Sequence, residues 1–76
     1  MSVAWVTEIS ATSNQSFEDA VRVGIRRASK SLRQIRGAWV KEQHVSVDAE
    51  GHIDEFRVNL MVTFVLDEHD ELPVAL

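Results

Sequence analysis

The sequence has no cysteine, one proline, three glycines and no apolar run near the roughly 20 residues that a bilayer-spanning helix requires. The missing thiols exclude disulfides, thiolate-bound metal and a cysteine nucleophile. Its histidines, His44, His52 and His69, share no i, i+3 or i, i+4 spacing, so they form no helical metal pair. No basic segment followed by an apolar one opens the chain, and a cytoplasmic protein without a membrane partner is expected. Positive charge is also short: 8 Lys and Arg face 12 Asp and Glu, for a formal net charge of -4. That balance argues against nucleic acid as a partner.

What remains is a chain of 76 residues, 45% hydrophobic, which is one small domain. A chain this short buries only about 60% of the surface its unfolded form exposes, so a single core is marginal. With disulfides excluded and no metal set in view, assembly of identical subunits is the remaining source of stability.

The pattern along the chain changes period. From Val3 to Thr12, β-branched residues with partial alternation predict a strand whose one face carries Val3, Trp5, Thr7, Ile9 and Ala11. Ser13-Asn14-Gln15-Ser16 is turn chemistry, and Ser16 stands three residues before Asp19, an acidic variant of the capping box. Phe17, Val21, Ile25, Ala28, Leu32 and Ile35 then recur at helical spacing. They predict a helix of about 28 Å at 1.5 Å per residue, ended by Gly37 as its C-cap. Ala38 to Asp48 and Ile53 to Leu66, joined by Ala49-Glu50-Gly51-His52, predict a hairpin. In its second strand Phe56, Val58, Leu60, Val62, Phe64 and Leu66 share one face. Glu55, Arg57, Asn59, Met61 and Thr63 share the other.

The expected fold class is therefore α+β: a three-stranded antiparallel sheet around one helix, in the order β-α-β-β. Residues 1–66 form the domain, and 67–76, acidic and holding the lone proline, are expected to be a mobile tail. The second face of the sheet is too mixed for a core yet unusual for plain solvated surface, so a protein or ligand contact is expected there.

Candidate chemistry is sparse. Ser10, Ser13 and Ser16 lie in or beside a turn and have no ordering base, and no catalytic residue is assigned. Asp48, Glu50 and Asp54 flank a glycine turn and offer oxygen to a hard cation, but their spacing is not that of an EF-hand loop, and no metal ligand set is assigned. Arg22, Arg26, Arg27, Lys30 and Arg33 give the helix a basic face, open to a solvated reading, an acidic neighbouring subunit or an anionic ligand. Trp5 is placed in the core. Trp39, at an element boundary, is either a platform for a planar ligand or part of a subunit interface.

The segments TEISATSNQSFEDAV, RASKSLRQI, VKEQ and FRVNLMVTFVL, in this order and spacing, resemble the dodecins, and the likeness runs from Val3 to about Glu68. The resemblance implies a non-enzymatic homododecameric shell with tetrahedral symmetry that binds and buffers a small molecule. In the best-known members flavins such as riboflavin, lumichrome or FMN sit between tryptophans at subunit interfaces. Some members are associated with coenzyme A, and one branch with calcium. Aligned on Val40-Lys41-Glu42-Gln43, the family's stacking tryptophan falls at Gly37, with Trp39 two residues later, and its ligand-contacting glutamine falls at Arg57. The ligand-binding residues expected here are Trp39 as the stacking surface, Arg57 as the polar or anionic partner and Gln43 as an edge contact. A dodecin shell without flavin, structural or binding an ion or coenzyme A, is the alternative.

Overall fold

The computed structural model describes residues 3–66, as strand β1 (Val3–Ser13), helix α1 (Phe17–Ala28), strand β2 (Ile35–Val47) and strand β3 (Ile53–Leu66). The expected acidic tail lies outside the described residues. The three strands form one antiparallel sheet in the order β1-β3-β2, so the most apolar strand is central and both hairpin and crossover partners flank it. The expected α+β architecture is the observed one.

Alternation along β3 sets the layers. Val58, Leu60 and Val62 are fully buried and form the core with Ala20 of α1, while Ile9 and Ala11 of β1 and Phe17, Val21 and Ile25 of α1 pack around them. Directly opposed residues of an antiparallel pair share a face, so Trp5, Thr7, Ile9 and Ala11, opposite Phe64, Val62, Leu60 and Val58, join this helix-side face. Phe17 meets Phe56 edge to face at 5.2 Å, which fixes the first turn of the helix over the start of β3. The helix comes close to β1 because residue 24 is glycine: a Cβ there would stand 2.9 Å from Ala11 Cβ.

The helix begins as expected. Ser16 is extended and its Oγ accepts from the Asp19 amide at 2.9 Å, with Glu18 and Asp19 in the first turn. Ser13, buried at the end of β1, donates to Asp19 Oδ2 at 2.6 Å and accepts from the Gln15 amide at 2.9 Å, joining strand end to helix start.

Its end differs from expectation. The helix stops at Ala28, about 18 Å long instead of 28 Å. After Ala28 the amides of Lys30 and Ser31 bond three residues back, to Arg27 and Ala28, and Ser29 Oγ donates to the Ile25 carbonyl, hydroxyl chemistry that competes with helix continuation. Gln34 then takes a positive φ of 56°, which ends any helical path. Leu32 and Ile35 still pack on the core, the first from the loop and the second from β2, so their helical spacing reflects a shared core and not a shared helix. Gly37 is consequently no C-cap but an exposed residue of β2.

Helix α1 packs on β1 and β3 and leaves the middle of β2, from Gly37 to His44, uncovered. Most of β2 is exposed on both faces, including Ala38 and Val40, whose partners Val62 and Leu60 belong to the helix-side face.

Candidate functional site

The face of the sheet turned away from α1 is organised by the register into cross-strand rows. Val6, Thr63 and Gly37 form one row, and Glu8, Met61 and Trp39 the next. Ser10, Asn59 and Glu42 follow, then Thr12, Arg57 and His44. The first two rows make an apolar end and the last two a polar one.

Trp39 dominates the apolar end. It is 54% exposed, and at Gly37, two residues before it on the same face, an added Cβ would meet nothing within 4 Å. The indole thus has an open flank on its own strand and Met61 across from it, the arrangement of a ring platform with room for a second planar group. Its exposure follows from its place on the sheet face that α1 does not pack against.

Side-chain bonds knit the polar end. Arg57 donates from Nη1 to Ser10 Oγ at 2.8 Å, and its Nη2 lies 3.4 Å from Glu55 Oε1. Asn59 Nδ2 is 3.5 Å from Glu42 Oε1. Lys41, the extra residue where the register slips between Val40 and Glu42, reaches Glu8 on β1 at 3.1 Å. Glu42, Gln43, His44, Arg57 and Asn59 line a shallow depression of about 330 Å³.

The expected ligand residues fall at different places on the sheet. Trp39 and Arg57 are on the same open face, but Trp39 stands opposite Met61 and Arg57 opposite His44. Four residues of β3 separate those rows, about 13 Å at 3.3 Å per residue. Gln43 stands opposite Val58 in the helix-side row and borders the depression from there. The polar groups in the row between Trp39 and Arg57 are Ser10, Asn59 and Glu42; Asn59 belongs to the face on which a contact is expected, and Glu42 is not among the expected ligand residues. Their signal was the two-residue period of β3 combined with the slip at Lys41, and the slip has no sequence mark.

A second cluster sits at the hairpin tip, where Asp48, Glu50 and His52 bring ligand atoms within 4.8 Å of one another. His52, not Asp54, completes it. Asp48 Oδ1 already accepts the amides of Glu50 and His52, at 3.0 and 2.9 Å, so the aspartate is also the brace of the turn. Gly51, with φ 85°, supplies the left-handed residue this tip requires.

The basic face of α1 is partly answered within the chain: Arg22 pairs with Glu18, and Arg27 donates to Ser31 Oγ at 2.8 Å. Among the described residues no helix is long and apolar enough to cross a membrane.

The dodecin family profile matches residues 3–67. The chain is 42% identical over 64 residues to the calcium dodecin of Mycobacterium tuberculosis, covering 84% of this chain and 89% of that protein. A crystal structure of that calcium dodecin, described as having a novel calcium-binding site, superposes with a TM-score of 0.75 at 37% identity, covering 92% of this chain and 99% of the other. A dodecin from Streptomyces davaonensis gives 0.83 at 34% identity over 88% of this chain and 97% of its own. A variant of the Thermus thermophilus dodecin gives 0.83 at 32% identity, over 90% of this chain and all of the other.

Proposed function

Because the chain belongs to the dodecin family, we propose that it assembles into a homododecameric shell that binds and buffers a planar small molecule, flavin first among candidates, and that it catalyses no reaction. The observation that carries this reading is Trp39: a large aromatic ring, more than half exposed, on a strand with no internal cover. Leaving such a ring in water forgoes burial of roughly 150–250 Å² of aromatic surface, which a stacked ligand or a neighbouring subunit recovers. The open flank at Gly37 favours a ligand, since it leaves space beside the indole on the same face.

Assembly has its own support. Ala38 and Val40 belong to the helix-side rows of the sheet yet lie exposed, so a second copy seated along β2 would bury apolar surface that α1 cannot reach. In this reading Trp39 stacks the ring, and Asn59 with Glu42 stands next to the ring's polar edge, about 7 Å along the strand. Arg57 and Gln43 contact the periphery. The test is titration of the purified assembly with riboflavin, lumichrome and FMN, read by quenching of flavin emission; saturable quenching supports the reading and its absence for all three ends it.

A second reading, calcium binding, is favoured by the tip cluster of Asp48, Glu50 and His52 and by the calcium dodecin likeness. The cluster suits calcium poorly on its own. It offers two carboxylates and an imidazole where calcium takes 6–8 oxygens, so other copies or waters would have to complete the shell. Calorimetric titration with calcium, repeated on Asp48→Asn, decides it. Coenzyme A has no specific support among the described residues.

A further inference from the structure

We propose that the open face selects an uncharged planar ligand over its phosphorylated form, and that Glu42 and Glu55 set this preference. The inference rests on the planar-ligand reading above and concerns what that ligand carries on its side chain.

Arg57 is the natural candidate for gripping a phosphate, since a guanidinium can chelate one with two parallel hydrogen bonds. Here the two terminal nitrogens of that fork are already engaged, Nη1 by Ser10 Oγ at 2.8 Å and Nη2 by Glu55 at 3.4 Å. A phosphate would have to share the guanidinium with a carboxylate that already sits within ion-pair distance. Lys41, which reaches this face beside the Trp39 row, is held at 3.1 Å by Glu8. Arg57 and Lys41 therefore each have an acidic partner.

Between these two ion pairs lies an unmatched carboxylate. Among the described residues of this face, Glu42 is the carboxylate with no cation against it; its partner is the neutral amide of Asn59 at 3.5 Å. It lies between the rows of Trp39 and Arg57, where the side chain of a ring stacked on the indole would pass. A phosphate monoester brings about -1.5 to -2 charge at neutral pH into this strip. An uncharged polyol side chain brings none, and its hydroxyls find an acceptor in Glu42 and donors in Asn59 and His44. The face has the chemistry of a polyol rest, not of an anion hole.

The experiment is paired fluorescence titration of the assembled protein with riboflavin and FMN, which share one ring and differ in the terminal phosphate. Wild type should bind riboflavin roughly three- to fivefold more tightly than FMN, the scale of partly exposed charge interactions. Glu55→Gln frees Arg57 and Glu42→Gln removes the unmatched charge, so each should move the ratio toward or past unity. Raising ionic strength should narrow the wild-type ratio as the repulsion is screened. Equal or tighter binding of FMN by wild type, or a ratio unchanged in both variants, overturns the proposal while leaving planar-ligand binding in place. Quenching by neither flavin overturns the underlying reading as well, a pattern distinct from the first.

Discussion

Lys41 Nζ stands 3.1 Å from Glu8 Oε1, although the two residues belong to the two outer strands of the sheet with β3 between them. Neighbouring strands lie about 4.8 Å apart, so the pair spans close to 10 Å of sheet and passes over the central strand. The bridge is available because the register slips at Lys41. Both side chains are about half exposed, 50% and 40%, so screening by water keeps the pair weak. A double-mutant cycle of Lys41→Met and Glu8→Gln should yield a coupling of about 0.2–1 kcal/mol that shrinks with added salt. Coupling well above that range would show the pair to be shielded by a neighbouring subunit.

Trp39→Ala tests the platform directly. Loss of one stacked aromatic contact costs about 1–3 kcal/mol, so flavin affinity should fall by about fivefold or more while light scattering reports an unchanged particle. Quenching that survives the substitution would remove Trp39 from the site.

At Gly24 two effects oppose each other. Alanine is the better helix former by about 1 kcal/mol, but its Cβ would stand 2.9 Å from Ala11 Cβ, an atom fixed to the backbone of β1. Overpacking of this kind costs about 1–3 kcal/mol, so Gly24→Ala should lower the denaturation midpoint. Ala11→Gly in the same chain should recover part of the loss, and a midpoint that rises in the single variant would show that α1 can shift away from β1.

Ser13 holds the strand-to-helix turn from a buried position. Ser13→Ala removes the bond to Asp19 and leaves the Gln15 amide without its 2.9 Å acceptor, a loss of about 1–3 kcal/mol. Urea denaturation checks this, and Ser13→Thr, which keeps the hydroxyl, should lose less.

Much of this architecture is legible in the sequence because periodicity and burial coincide. The alternation of Phe56 through Leu66 marks the core face of β3, and Ser16 with Asp19 marks the helix start, because both signals are local. The helix end was not legible. Leu32 and Ile35 continue the apolar spacing while Ser29, Ser31 and the positive φ of Gln34 break the backbone, and a core contact made from a loop looks in sequence like one made from a helix. The candidate site suffers from a related ambiguity. Trp39 and Arg57 were recognisable by chemistry, but the slip at Lys41, which decides that Glu42 and not Gln43 joins their face, depends on pairing with β3 across the hairpin.

The exposure of β2 bears on assembly itself. Val40 is 41% exposed although its partner Leu60 is buried, and the same strand offers Ala38 in the row opposite Val62. A chain that cannot cover these positions with its own helix gains by covering them with another copy. A charge placed there would then be expensive only in the assembly, since the isolated subunit leaves Val40 in contact with water. Val40→Lys should therefore leave the secondary structure of the subunit intact by circular dichroism while shifting the particle seen by light scattering toward smaller species. If instead the variant keeps the wild-type mass, the helix-side face of β2 is not an assembly surface, and any subunit contact along this strand is confined to the face that carries Trp39.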